Sequence, residues 1–295
     1  MKHYRYLIIG GGLAGDAAAS GIRELDAEGS VGMISMESNP PYVRPNLSKD
    51  LWKGKPVEKI WRNTRDFGVE LLLGLKINQL DSQGKSIRDE KGNEYTYDKL
   101  LLATGGSPNQ LPFAKDKIIY FRTFEDYQHL RTMSESKQSF LVIGGGFIGA
   151  EIAAALTIVG KKVIMAFPQD TIGANVFPND LSNFITDFFR EQGVKVVSGD
   201  TVTSVEQNGD HLSVNTQAGL VFDVDGIVAG IGIHPNVELA QQAGLKVENG
   251  IIVDEHLMTS VPDIYAAGDV ANFYYPALAK RKRVEHEDNS IQMGK

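Results

Sequence analysis

Two glycine-rich stretches in this chain have the spacing that lets a backbone wrap around a pyrophosphate. In YLIIGGGLAG the glycines are Gly10, Gly12 and Gly15, with Gly11 between; in FLVIGGGFIGAE they are Gly144, Gly146 and Gly149, with Gly145 between. Each position meets a physical demand. The first glycine allows a tight strand-to-helix turn, the second lets backbone approach the phosphates, and the third permits close helix-to-strand packing. A helix that starts there aims the positive end of its dipole at the same phosphates. Glu37 stands about 20 residues past Gly15, where ribose hydroxyls need an acceptor. The matching place after Gly149 holds Gln169, with Asp170 beside it and no arginine to pair a 2′-phosphate. An unphosphorylated ribose is therefore expected at both turns.

Other residues could do chemistry but have simpler readings too. Arg44 and Lys49 lie in SNPPYVRPNLSKDLW, where Pro40, Pro41 and Pro45 stiffen the loop. They either reach an anionic or electron-rich ligand or are solvated cations, with Lys49 near the start of a short helix. Asp269, after Gly268, either accepts from a sugar or ribityl hydroxyl or caps a helix. Lys280, Arg281, Lys282 and Arg283 either dock an acidic electron carrier or form a solvated loop. The chain has no cysteine, which excludes a disulfide framework, a thiolate metal site and a catalytic thiol. No metal site is expected.

The elements that position these residues can be read from pattern. A strand ends at Gly10, a small-residue helix over Asp16 to Leu25 follows, and a second strand runs from Val31 to Met36. Short strands are predicted at Leu71 to Leu73, Lys76 to Leu80, Ser86 to Arg88 and Tyr95 to Tyr97. A return strand, Lys99 to Ala103, closes at Thr104, Gly105 and Gly106, and Ile77 packs either an adenine or the core. The same order then repeats: Ser139 to Ile143, a helix Ala150 to Val159, a strand Lys162 to Phe167, short strands between Val194 and Thr216, and a return strand Gly226 to Ala229 before Gly230 and Gly232. This is an internal duplication, so the chain should carry two dinucleotide sites. One holding a flavin dinucleotide and the other a nicotinamide dinucleotide has an economical meaning, hydride passing from the second to the first.

At 295 residues there is room for two domains. A net charge of −7 argues against nucleic-acid partners. The weakly polar run from Phe140 to Gly160 is broken by its glycines and Glu151, so no membrane span is expected. A strand starting within a few residues of Met1 leaves no room for a leader, and a cytoplasmic location is expected.

The two glycine turns, Thr104-Gly105-Gly106 and Gly268-Asp269 resemble the two-dinucleotide FAD/NAD(P)H pyridine nucleotide-disulfide oxidoreductase family. More narrowly, PYVRPNLSK, LLATGG, VIGGGFIGAE, FPQD and RKRVEHEDN look like its ferredoxin reductase, rubredoxin reductase and apoptosis-inducing factor branch. The resemblance covers nearly the whole chain. It implies a three-layer α/β fold of two Rossmann-like domains of the glutathione-reductase type. A discontinuous FAD domain, 1–111 and 235–295, would have the NAD(P)H domain, 112–234, inserted into it.

The resemblance also implies roles. Gly11, Gly12, Leu13, Ala14 and Gly15 would cradle the FAD pyrophosphate, and Glu37 with Ser38 would hold the adenosine ribose. Arg44, Lys49, Ile77, Thr104, Gly105, Arg122, Gly268 and Asp269 match other flavin-contacting positions, and His286 with Glu287 a segment at the isoalloxazine. Gly145, Gly146, Phe147, Ile148, Gln169, Gly232, Glu285 and His286 match the nicotinamide side. Lys49 and Glu151 match a catalytic pair beside flavin N5. The implied activity is hydride transfer from NADH to FAD, with electrons passing on to a ferredoxin, a rubredoxin, a quinone or oxygen. The alternative is an NADH-responsive redox sensor with slow turnover. Three departures stand out: no redox cysteine pair, Gln169 in place of an acid, and a sequence that stops at Lys295 where the family continues for roughly a hundred residues more.

Overall fold

A computed structural model describes residues 1–295. In chain order it begins with strand β1 (Lys2–Ile9), helix α1 (Leu13–Leu25) and strands β2 (Val31–Ser35), β3 (Val69–Leu73), β4 (Ile77–Asp81), β5 (Ser86–Asp89) and β6 (Glu94–Leu102). A short strand β7 (Gly106–Pro108) leads to β8 (Ile118–Tyr120), α2 (Phe124–Ser136), β9 (Ser139–Ile143), α3 (Phe147–Ile158) and β10 (Lys162–Phe167). Next come α4 (Asn179–Glu191), β11 (Lys195–Ser198), β12 (Val202–Asn208), β13 (His211–Thr216), β14 (Val221–Val224), β15 (Gly226–Ala229) and β16 (Ile233–Pro235). The chain closes with α5 (Glu238–Gln242), β17 (Val247–Glu248), β18 (Gly250–Ile252), β19 (Ile264–Ala266), β20 (Ala271–Tyr275), β21 (Lys280–Lys282) and α6 (Glu287–Gly294).

The chain forms two compact units: Met1–Arg44, Glu58–Ser107 and Pro235–Lys295 make the first; Pro45–Val57 and Pro108–His234 make the second. In the first, β3, β2, β1, β6 and β19 lie side by side and parallel, while β5 and β4 extend the sheet antiparallel from the start of β6. In the second, β11, β10, β9, β15 and β8 are all parallel, and β12, β13 and β14 form an antiparallel sheet of their own. The second unit repeats the plan of the first. β7 and β16 pair as a ribbon where the chain leaves and re-enters the first unit.

Continuous apolar runs account for the central strands. Leu7, Ile8 and Ile9 on β1, and Phe140, Leu141, Val142 and Ile143 on β9, are all buried, as parallel strands covered on both faces require. α1 is built from small residues because it is packed on two sides. Ala14, Ala17, Ala18 and Ala19 are buried, and a side chain at Gly294 of α6 would collide with the Ala14 carbonyl and the Ala17 methyl.

The elements differ from the sequence expectation in four places. α1 and α3 begin at Leu13 and Phe147, one turn before the expected Asp16 and Ala150, because the second half of each glycine turn is already helical. Leu71 to Leu73 belong to β3, a parallel strand of the main sheet and not part of the antiparallel excursion. Tyr95 to Tyr97 and Lys99 to Leu102 are one strand, β6, held straight by parallel pairing to β1 along its length. Residues 45–57 pack with the second unit, not the first. The reason is a local apolar anchor: Leu47, Leu51 and Trp52 are buried. The Trp52 indole donates to the Leu47 carbonyl at 2.8 Å, meets the Tyr127 ring edge-on at 5.8 Å, and lies under Arg131 at 5.4 Å.

Candidate functional site

In the first unit, Gly10 adopts φ +123°, and a side chain there would strike the Ala103 carbonyl. One at Gly15 would strike the Gly10 carbonyl, and one at Gly11 would meet Ser35. At Gly12 a side chain would meet no atom within 4 Å. The turn is therefore closed on three sides and open at the glycine expected to face a phosphate. The second unit repeats this geometry. Gly144 has φ +118° and abuts the Gly230 carbonyl, Gly149 abuts the Gly144 carbonyl, Gly145 packs on the Phe167 ring, and Gly146 faces open space. Phe147 and Ile148 are exposed at the mouth of this turn, Phe147 edge-on to Phe177 with ring centres 5.9 Å apart. Gln169 follows β10, its carbonyl accepting from Gly199.

Glu37, just past β2, is tied to the proline-rich loop. One carboxylate oxygen accepts from Tyr42 Oη at 2.6 Å and the other from Arg44 Nη2 at 2.7 Å. Arg44 also donates to Tyr42 Oη and lies over the Tyr42 ring. Burial opposes the charge on Arg44, but Tyr42, Glu37 and Asp269 outweigh it and hold the guanidinium pKa above its ordinary value. Each Glu37 oxygen keeps a second lone pair, so the carboxylate can still accept from a ribose. Tyr42 was not singled out in the sequence, where a tyrosine between two prolines reads only as loop.

Gly268 and Asp269 open a short 3-10 turn, not an α-helix, whose cap position is Ala267. A side chain at Gly268 would press on the Ala14 methyl, so this turn lies against the first turn of α1. Arg283 donates to the Asp269 carbonyl at 2.7 Å and to Glu285 at 2.6 Å. His286 caps α6, its Nδ1 accepting from the Asp288 amide at 3.2 Å, and Glu287 is exposed in the first helical turn. Ile77 heads β4 against the core. Thr104 and Gly105 hold Asn236: Thr104 Oγ1 donates to its carbonyl, and its amide donates to Gly105. Ser38 is exposed beside Glu37.

Lys49, Arg122, Glu151 and Gly232 lie in the second unit. Glu151 sits on α3, one turn beyond the open glycine. Its Oε1 faces Lys49 Nζ at 3.3 Å, and its Oε2 accepts from Ser48 Oγ at 2.6 Å. The Arg122 amide donates to Asp126 in the capping box of α2, and Gly232 takes φ +87° beside Asn109.

Residues 4–294 match the family described as pyridine nucleotide-disulphide oxidoreductase. The chain belongs to that family. It is 36% identical over 303 residues to the 5,5′-dehydrodivanillate O-demethylase ferredoxin reductase subunit of Sphingobium, covering 98% of this chain and 73% of that one. It is 32% identical to mitochondrial apoptosis-inducing factor 1 of Dictyostelium discoideum, covering all of this chain and 61% of that one. Putidaredoxin reductase, in its covalent complex with putidaredoxin, superposes with a TM-score of 0.94 at 31% identity, over all of this chain and 74% of that one. The chain spans 46% to 75% of the length of such relatives. The family fixes the fold, two Rossmann-type α/β units. No helix is long and apolar enough to cross a membrane.

Proposed function

We propose that this chain is an FAD-dependent NADH oxidoreductase that delivers electrons to an acceptor other than a disulfide. The observation that carries this reading is one phosphate cradle built twice, in a chain with no cysteine. FAD fits the first turn. Gly12 leaves room for its pyrophosphate, Glu37 can take its ribose, and Asp269 lies on the turn packed against Ala14. NADH fits the second, since Gln169 and Asp170 offer no cation for a 2′-phosphate. When bound, FAD supplies N5 as acceptor of the hydride that converts NADH to NAD⁺. The chain's own groups bind and orient: Phe147 and Ile148 border the second turn, and Glu151, one turn along the same helix, holds the Lys49 ammonium at 3.3 Å.

A small iron–sulfur carrier, a ferredoxin or rubredoxin, is the proposed acceptor, as putidaredoxin is the partner captured on putidaredoxin reductase. A quinone and oxygen are the other candidates. The basic stretch supports docking less broadly than its sequence suggests. Arg281 is exposed but donates to the Val253 and Asn272 carbonyls, and the Arg283 side chain is nearly buried, which leaves Lys280 and Lys282 as the β21 cations not drawn onto carbonyls. A cytoplasmic location belongs to the same reading, and cell fractionation checks it.

The test is anaerobic addition of NADH to the purified, FAD-loaded protein. Bleaching of the flavin band, reversed by a ferredoxin, supports the proposal; a protein that binds no FAD sinks it. Likeness to apoptosis-inducing factor supports a second reading, an NADH-responsive sensor. That reading gains if bleaching is followed by a lasting long-wavelength band and slow reoxidation with every acceptor.

A further inference from the structure

Helix α4 of the second unit is built inside out. A surface helix ordinarily turns its apolar stripe to the core and its polar side to water. In α4 (NDLSNFITDFFRE) the buried side chains are Ser182 and Thr186, while Leu181, Phe184 and Phe188 are 42%, 68% and 48% exposed. Hydrogen bonds hold this orientation. The Ile172 amide donates to Thr186 Oγ1 at 2.9 Å, Thr186 Oγ1 donates to the Ser182 carbonyl at 2.7 Å, and Thr171 Oγ1 donates to Ser182 Oγ at 3.0 Å. Rotating the helix to bury its phenylalanines would strip the Ile172 amide and both hydroxyls of these partners, and buried polar groups left unpaired are penalised.

Leu181, Phe184 and Phe188 recur at intervals of three and four residues, so they form one ridge, roughly 10 Å long. That is the spacing of a seam between two helices, in which each side chain fits among those of the facing helix. One flank of the ridge is acidic. Asp180 precedes Phe184 by four residues, Asp187 follows it by three and Glu191 follows Phe188 by three, so each borders a ridge phenylalanine. All three are exposed. Asp187 pairs with Arg190 at 2.8 Å, whereas Asp180 and Glu191 pair with no cation. An antiparallel second copy of α4 would bring two acidic flanks together, and an anionic membrane would repel the same charges.

We propose that the α4 ridge docks a cationic amphipathic helix of another protein. The apolar face of that helix would lie on Leu181, Phe184 and Phe188, and its Lys or Arg side chains along Asp180, Asp187 and Glu191. None of these side chains is assigned above to a dinucleotide, so docking here goes beyond the oxidoreductase reading.

The probe is a fluorescein-labelled peptide of leucine and lysine, about 18 residues long, with leucines at the same helical spacing; a second peptide carries glutamate in place of lysine. Fluorescence anisotropy follows binding to the full chain at low and high salt, for the parent, F184S/F188S and D180N/E191Q. The parent should bind the lysine peptide at least about tenfold more tightly than the glutamate peptide. F184S/F188S should weaken lysine-peptide binding at least about tenfold, because buried aromatic anchors carry most of such an interface. D180N/E191Q should weaken it about threefold and make its salt dependence shallower.

Lysine-peptide binding that survives F184S/F188S lies elsewhere on the acidic surface and overturns the proposal. Equal binding of the glutamate peptide, or binding of neither peptide, does the same. Light scattering of the protein alone tests the rival occupant: a concentration-dependent dimer that F184S/F188S abolishes gives the ridge to a second copy and overturns docking of a partner. Circular dichroism and thermal melts matching the parent's show that the variants fold. If F184S/F188S misfolds, Phe184→Lys alone is held to the same limits.

Discussion

The guanidinium of Arg44 lies 2.7 Å from the carboxylate of Glu37, so the acid expected to hold a ribose is already anchored to the loop that follows it. Both side chains are about a fifth exposed, which keeps water from replacing the pair at no cost. Arg44→Ala should therefore lose about 1–3 kcal/mol of stability, measured by urea unfolding of the flavin-free protein. It should also release FAD more readily, by about tenfold in dissociation constant, because Glu37 becomes mobile. Unchanged flavin affinity would mean that Glu37 is not a ribose acceptor.

Gly10 and Gly12 should separate folding from binding. Gly10→Ala forces a side chain into φ +123° and against the Ala103 carbonyl, and should cost more than about 2 kcal/mol. Gly12 has φ −88°, ψ −172° and open space beside it, so Gly12→Ala should fold within about 0.5 kcal/mol of the parent. Its methyl group nevertheless stands where a pyrophosphate must approach. Thermal melts of the flavin-free proteins and flavin content after reconstitution check the pair. Gly146→Ala should do the same to NADH binding at the second turn.

Arg283 and Lys282 should differ although they are adjacent. The Arg283 side chain is 8% exposed and bonded to the Asp269 carbonyl, Asn249 and Glu285, so Arg283→Ala should cost about 1–3 kcal/mol and disturb flavin retention. Lys282→Ala should leave stability within about 0.5 kcal/mol. If β21 docks an acidic carrier, K280A/K282A should instead flatten the salt dependence of ferredoxin reduction. Cytochrome-free stopped-flow assays at several ionic strengths read this directly, and an unchanged slope would place the carrier elsewhere.

Asp225 predicts an acid limb in the stability of the second unit. Burial would raise its pKa, but the Gln138 and Ser139 amides, the Ser139 hydroxyl and His211 outweigh that and hold it below the ordinary 3.8. A carboxyl depressed in the folded state stabilises it above the unfolded pKa, and that contribution is lost as pH falls through the folded value. Asp225→Asn should therefore be less stable than the parent at pH 7, with the gap closing below about pH 4. A constant gap between pH 7 and 3 in chemical denaturation would show that the carboxylate charge does not matter.

Much of this was legible because local rules and long-range packing agree in the glycine turns. The steric demand for glycine at Gly10, Gly15, Gly144 and Gly149 is the same demand that spaces them, and the repeat of strand, turn and helix follows from it. The loop 45–57 was not legible, since its place depends on Trp52 meeting Tyr127 across a wide separation in sequence. Ser48 left no signal at all: a serine before a lysine in a proline-bounded loop reads as a polar connector. The basic run left both of its readings open. Its four cations look alike in sequence, and only packing bonds Arg281 and Arg283 to carbonyls.

The pairing of β7 with β16 means that the second unit enters and leaves the first through two neighbouring strands. Asn236 bonds back to Gly105, so the cut ends left by removing residues 108–234 would lie about one inter-strand spacing, roughly 5 Å, apart. A tight two-residue turn could join them. The insert thus behaves as a cassette, replaceable without re-routing the host sheet, provided that the Leu51 and Trp52 left behind on the 45–57 loop are given a new surface or made polar.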